Sequence, residues 1–317
     1  MKIYDNITEA IGRTPLVQLR NLPKRYNCEA EILLKLEGLN PARSIKDRIA
    51  GSMIQEAEKA QLIQPGVSTI IEATSGNTGI GLAMVCAARG YQLILTMPDN
   101  MSRERMELLK AYGAEVVTTP AKLDMAGAIA RANDLLASIS NSFSPQQFSN
   151  PANPKIHYQT TGPEIWADTE GKVDILVVGV GTGGTLTGAG YYLKRQKPEL
   201  KIIAVEPEKS AVLSGENRAI HDIQGIGAGF IPDILRVDLI DEIVRVSEET
   251  AYEMGRHLAA EEGILSGIST GAVVSAALSV GARPECRDRA IVAIQASGGE
   301  RYLSTKMFEP QAVVAVK

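Results

Sequence analysis

The chain has 317 residues, 44% of them hydrophobic and 22% charged, enough for a substantial core and, by size, about two domains. Its formal charge of -4 argues against nucleic acid or an anionic membrane as main partner, since both favour a basic surface, and leaves a small molecule as the better expectation. Cys28, Cys86 and Cys286 lie far apart with no CxxC, so neither a disulfide framework nor a zinc site is expected. His157, His221 and His257 show no metal spacing either, and each is expected to be structural.

The opening segment carries Asp5 and Glu9 where a signal peptide needs an apolar run, so no export signal and a cytoplasmic location are expected. Apolar, β-branched runs then predict strands over 15–19, 31–36, 69–72, 92–96, 115–118, 173–178, 201–205, 243–246 and 291–294. Between them, helical periodicity covers 46–60, 78–89, 102–112, 125–138, 185–195, 249–262 and 271–280. Such alternation predicts an α/β protein of parallel sheets covered by helices. The uncharged run 175–193 has membrane length, but its six glycines and three threonines suit strand, loop and helix better than a span. Residues 143–157, with three prolines and two asparagines, interrupt the rhythm and mark the best boundary.

Five segments carry candidate chemistry. In NPARSIKDR, Asn40 to Arg48, Ser44 and Asp47 have capping-box spacing, which puts Lys46 in a helix's first turn. There the free NH groups and burial both favour the neutral amine, a nucleophile for carbonyl groups. Thr74-Ser75-Gly76-Asn77-Thr78-Gly79 follows a strand and offers hydroxyl and amide donors for a carboxylate or ring oxygen. Gly181-Thr182-Gly183-Gly184-Thr185 runs from a strand into a helix and suits a phosphate, without the lysine of a P-loop. The same loop matches GxGxxG at Gly179, Gly181 and Gly184, with Glu206 ending the next strand, so an NAD-linked oxidoreductase stays open from these residues alone. The glycine-rich run 224–232 is a pocket-lining or hinge loop, and in Ser297-Gly298-Gly299-Glu300-Arg301-Tyr302 the serine can face a ring nitrogen. Arg301 is expected to be a structural ion-pair residue.

Taken in order, NPARSIKDR, TSGNTGIGLA, QQFSNPANPKIHYQTTGPEIW, VGTGGTLTG, EPEKSAVLSG, QGIGAGFIP and SGGERYLST give the chain a close resemblance to the O-acetylserine sulfhydrylase, or cysteine synthase, family over nearly its whole length. The resemblance implies a two-domain, fold-type II pyridoxal-phosphate enzyme, each domain a largely parallel twisted sheet flanked by helices. Residues 36–150 would form a mobile N-terminal domain, and 1–35 with 151–317 the C-terminal one. Lys46 matches the Schiff-base lysine, Asn77 the partner of the cofactor's ring hydroxyl, Gly181, Thr182, Gly183, Gly184 and Thr185 the phosphate cradle, and Ser297 the partner of the pyridine nitrogen. Thr74, Ser75, Gly76, Thr78 and Gln147 match positions around the substrate carboxylate; Gly225, Gly227 and Ala228 belong to the loop over the site's mouth. The implied reaction is β-replacement of O-acetyl-L-serine by sulfide through α-aminoacrylate, giving L-cysteine and acetate, with Lys46 moving the α-proton. A serine at the pyridine nitrogen, unlike an aspartate, does not enforce its protonation and so favours β-elimination over transamination. A homodimer and a complex with the C-terminal tail of serine acetyltransferase are implied as partners, and no metal.

The sequence departs from the family pattern at Ala296, where proline is frequent, which suggests a less rigid loop, and at 122–125 and 216–220, where relatives are richer in glycine. These departures leave cyanide, thiosulfate or homocysteine open as second substrate, giving cyanoalanine, S-sulfocysteine or cystathionine synthase. A catalytically poor paralogue that binds serine acetyltransferase is a further alternative.

Overall fold

The computed structural model describes residues 3–101 and 103–309; Ser102, expected to begin the helix over 102–112, and the outermost ends of the 1–35 and 151–317 segments lie outside the described residues. In chain order the strands are β1 (Leu16–Gln18), β2 (Glu31–Leu36), β3 (Thr69–Ala73), β4 (Gln92–Pro98), β5 (Glu115–Thr119), β6 (Ser142–Phe143), β7 (Val173–Gly179), β8 (Lys201–Pro207), β9 (Glu242–Val246) and β10 (Ala290–Gln295). The helices are α1 (Leu22–Arg25), α2 (Lys46–Lys59), α3 (Asn77–Arg89), α4 (Arg103–Ala111), α5 (Asp124–Ser138), α6 (Ala152–Ile156), α7 (Gly162–Asp168), α8 (Gly184–Gln196), α9 (Glu248–Glu262) and α10 (Ile268–Gly281).

They build two sheets, as the βα alternation predicts. One has six strands in the order β1-β2-β10-β7-β8-β9, the other four in the order β5-β4-β3-β6. All pairings are parallel except β1 with β2. β10 is central in the larger sheet and buried along its length, as a strand covered by helices on both faces must be. Helix α10 is apolar almost all round and buried, packing with α9 on one face, while α7 and α8 cover the other. No helix among the described residues is long and apolar enough to cross a membrane; the run 175–193 is β7, its loop and most of α8.

Two local expectations need correction. The segment 143–157 is not simply an interruption: it contains the end of β6 and α6, which continues through a π-turn (His157–Thr161) into α7. Pro151 stands at the N-cap of α6 and Pro163 in the first turn of α7, places where a missing NH costs nothing. The capping box also takes another form. Ser44 Oγ accepts from the Lys46 NH (3.2 Å), but the Asp47 carboxylate reaches back to the Ala42 NH (2.6 Å) because the segment before α2 is fixed by other strands.

A buried ionic cluster anchors α2 to the large sheet. Arg48 donates in bidentate fashion to Glu37 (2.7 Å twice) and to Glu164 on α7 (2.8 and 2.7 Å). Lys35 on β2 pairs with Glu164 (3.0 Å) and Asp168 (3.3 Å). Burial pushes the Glu37 carboxyl up, but Arg48, Thr14 and Lys35 outweigh it and hold the group below its usual range; Glu164 is held down to about 2 by the same cations against burial.

Candidate active site

Parallel strands present their carboxyl ends along one edge, where loops and helix N-termini gather. The segments after β2 and β10 meet there as extended chains. Ser44 and Ser297 form a β-bridge; the Ile45 NH donates to the Ala296 carbonyl (2.9 Å) and the Gly298 NH to the Arg43 carbonyl (3.1 Å). Gln295 adds its side chain, accepting from the Gly38 NH (2.6 Å) and donating to the Ser297 carbonyl (2.8 Å). This pairing places Lys46 beside the Ser297 segment and holds the Ala296 carbonyl on a backbone bond.

Lys46 is partly buried, and among the described residues no hydrogen bond or ion pair engages its Nζ. Burial pushes its amine down to about 8, with the Glu37 carboxylate acting in the opposite sense. It lines a narrow cavity together with Gly179, Thr185, Gly225, Ser269 and Ala296, so four separate chain segments converge on this one amine. A larger cavity of about 300 Å³ lies elsewhere, by Asn6, Glu9, Gln55 and Arg89; of the five candidate segments it touches only Arg48.

The loop after β3 is fixed at both ends. The Thr74 NH donates to the Thr96 carbonyl (3.1 Å), and Thr74 Oγ1 accepts from the Gly76 NH (3.3 Å). Gly76 is the N-cap of α3, which leaves the first NH groups of that helix without intrahelical partners. Thr78 Oγ1 donates to Gln147 Oε1 (2.6 Å), and the buried Glu72 carboxylate holds the Gln146 and Gln147 NH groups (3.1 and 3.2 Å). Gln147 is thereby brought from a distant segment to the 74–78 loop.

The loop after β7 is a tight cradle. A Cβ on Gly184 would lie 1.8 Å from Asn153 Oδ1, and one on Gly181 2.4 Å from the Gly225 carbonyl oxygen. Asn153 donates to the Gln147 carbonyl (2.8 Å) and Thr182 Oγ1 (3.1 Å). His157, expected to be merely structural, sits 2.9 Å from Thr161 Oγ1 and 3.3 Å from Thr185 Oγ1. Burial, with Arg48 and Lys46 adding to it, holds this imidazole well below its ordinary range and therefore neutral. The Gly227 NH donates to the Val180 carbonyl (2.9 Å), which sets the 224–229 loop against the cradle; Ala228 is exposed beyond it.

Asn77 and Ser297 are joined by Tyr302, to which the sequence assigned no role of its own. The Tyr302 hydroxyl accepts from Asn77 Nδ2 (3.3 Å) and lies 3.2 Å from Ser297 Oγ. Arg301 is not the ion-pair residue expected of it: it donates to Asn77 Oδ1 (2.8 Å) and to the Ala42 carbonyl. Glu206, the residue an NAD site would use on a ribose, accepts instead from the Leu213 NH (2.8 Å), the Ser214 NH (3.1 Å) and Ser214 Oγ (2.6 Å). Its carboxylate is spent on its own loop.

The chain is 52% identical over 308 residues to a cysteine synthase of Staphylococcus aureus, covering 97% of this chain and 98% of that one. A solved cysteine synthase from Entamoeba histolytica superposes with a TM-score of 0.94 at 44% identity, covering 98% of this chain and 92% of the other. A hydrogen sulfide-producing enzyme from Fusobacterium nucleatum gives 0.91 at 44% identity, covering 96% and 99%. The family model described as pyridoxal-phosphate dependent enzyme matches residues 7–298, which takes in every loop at this edge except the end of the Ser297 segment. With that match and these relatives, the chain belongs to the pyridoxal-phosphate dependent enzymes.

Proposed function

We propose that this chain makes L-cysteine, replacing the acetate of O-acetyl-L-serine with sulfide. The observation that carries the proposal is the convergence of Gly179, Thr185, Gly225, Ser269 and Ala296 on one partly buried lysine whose amine is pushed down to about 8, in a chain half identical to a cysteine synthase. The cradle fits a phosphate monoester: no side chain can enter at Gly181 or Gly184, the N-terminus of α8 presents free NH groups, and Thr182 and Thr185 add hydroxyls.

When bound, pyridoxal phosphate supplies an electron sink conjugated to the substrate's Cα. Lys46 would hold the cofactor through its aldehyde carbon at rest, and its freed Nζ would then remove the proton from Cα and return it after the nucleophile has added. Asn77 would hold the ring hydroxyl and Ser297 the ring nitrogen; the neutral serine would leave the nitrogen's protonation unforced. Thr74, Ser75, Gly76, Thr78 and Gln147 receive the substrate carboxylate, and Gly225, Gly227 and Ala228 form the mouth. Closure of the layer built on residues 36–150 excludes water while the β-carbon is open to attack. The homodimer and the complex with the C-terminal tail of serine acetyltransferase belong to this proposal and rest on the family resemblance; the cytoplasmic location belongs to it too and is supported by the three free cysteines.

Sulfide, cyanide, thiosulfate and homocysteine, offered in turn with O-acetyl-L-serine, test the assignment. The expected result is that sulfide exceeds each of the others at least about tenfold in kcat/KM. A preference for another nucleophile reassigns the second substrate, and no product with any of them overturns the proposal.

The lysine's pKa has a measurable consequence. Because the neutral amine is the nucleophile, the rate at which protein stripped of cofactor takes up pyridoxal phosphate rises with pH and levels off near the Lys46 pKa of about 8. An ordinary lysine would keep gaining until about 10.4. Stopped-flow absorbance across pH 6 to about 11 distinguishes the two profiles.

A further inference from the structure

Arg105, on α4, is used by none of the roles above, and its surroundings are unusual for a guanidinium. Its Nη1 donates to the Ser75 carbonyl (2.5 Å) and its Nη2 to Gln224 Oε1 (3.3 Å). One side chain thus spans the mouth, from the loop after β3 to the glycine-rich loop that packs on the cradle after β7. Among the described residues no carboxylate lies within ion-pair distance of Arg105 or of Arg301, whereas most of the chain's other arginines that form close side-chain contacts pair with Asp or Glu. Burial, opposed only by the Tyr302 hydroxyl, lowers the Arg105 pKa; burial also lowers that of Arg301, with Arg105 adding to it and Tyr302 and Asp47 opposing. Two guanidinium groups therefore reach the 74–78 loop, Arg105 at Ser75 and Arg301 at Asn77, and Arg105 has no carboxylate acting on it. A half-buried cation without a counter-ion is costly, and a bound anion relieves that cost.

We propose that Arg105 is a positioning residue for the carboxylate of the amino-acid substrate: it fixes the Ser75 backbone against the Gln224 loop and supplies the uncompensated positive charge that an α-carboxylate neutralises. Arg105 touches the loop and not the reacting atoms. Its effect falls on KM and on binding, with kcat little changed. The inference rests on the proposed amino-acid substrate.

The test compares L-serine with ethanolamine, which differ by the carboxylate alone, binding to holoenzyme carrying Arg105→Met, Arg105→Lys or Gln224→Met. Binding is read from the visible absorbance of the bound cofactor, after cofactor content is matched. Arg105→Met is expected to weaken serine at least about tenfold and ethanolamine less than about twofold, with Arg105→Lys between it and wild type because it keeps charge but loses the fork. Gln224→Met, which removes only the far contact, is expected to weaken serine about threefold. Equal losses for serine and ethanolamine, or serine binding unchanged in Arg105→Met, overturn the proposal. Turnover of O-acetyl-L-serine by wild type in the same preparation separates this outcome from failure of the cysteine-forming assignment, in which wild type itself is inert.

Discussion

Changing Lys46 to alanine is expected to lower kcat by a thousandfold or more, about the contribution of a positioned acid–base group that also carries the cofactor. The fold should be indifferent to the change. Lys46 Nζ has no hydrogen-bond partner among the described residues, and the start of α2 is held by backbone bonds from Ile45 and Asp47 and by Arg48. Thermal unfolding should move by only a few degrees. Lys46→Arg should be as inactive as alanine, because a guanidinium stays protonated and cannot form the carbon–nitrogen bond. Borohydride treatment of wild type should fix the cofactor's mass to the peptide bearing Lys46 and to no other. Retention of a tenth of the wild-type rate in Lys46→Ala would remove this lysine from the chemistry.

Arg48→Met should have the largest effect on stability. Glu37 is fully buried and Arg48 nearly so, and the variant leaves the Glu37 carboxylate without its cation. Breaking a buried pair in this way costs about 3–5 kcal/mol, or roughly 10 °C in melting temperature for a chain of this size. Because a stranded charge causes the loss, Glu37→Gln combined with Arg48→Met should recover much of it, and differential scanning calorimetry of the single and double variants reads the coupling. The pH dependence has a defined sign. Glu37 and Glu164 have folded-state pKa values below their ordinary 4.5, with Glu164 at about 2. The cluster's contribution is therefore complete above about pH 4.5 and is lost as pH falls towards 2. Arg48→Met should flatten that acid limb.

Periodicity made most elements legible, since strands such as β2 and β10 are apolar runs between turn residues and α2 and α5 keep an apolar face. Pairing was not legible from the residues. β1 and β2 are separated from β10 by more than 250 residues of sequence, and only the family resemblance placed the early strands with the later ones. Prolines hid α6 and α7, because Pro151, Pro154 and Pro163 read as breakers unless it is known that they stand at helix starts or in a first turn. At 122–125 the structure gives the departure from glycine a physical meaning: Asp124 adopts φ +48°, a conformation glycine takes more readily.

At the site, loops with glycines and hydroxyls after strands announced themselves, and so did Lys46. Tyr302, Asn153, His157 and Arg105 did not. Each acts on another residue of the site through one or two hydrogen bonds set by tertiary folding, and none sits in a local pattern that implies such a bond. Arg301 illustrates the limit: an arginine beside a glutamate suggests an ion pair, yet its partners are an amide oxygen and a backbone carbonyl. Only the paired 43–45 and 296–298 segments bring it over Asn77.

The most direct measurement follows the visible absorbance of the purified holoenzyme while O-acetyl-L-serine and then sulfide are added, with acetate and cysteine quantified at each stage. The proposed function predicts a yellow protein whose spectrum shifts with O-acetyl-L-serine as one acetate per active site is released, and returns to its starting form when sulfide is added and one cysteine appears. A protein that binds pyridoxal phosphate at Lys46 but releases no acetate from O-acetyl-L-serine, or whose shifted spectrum is not discharged by sulfide, would contradict it.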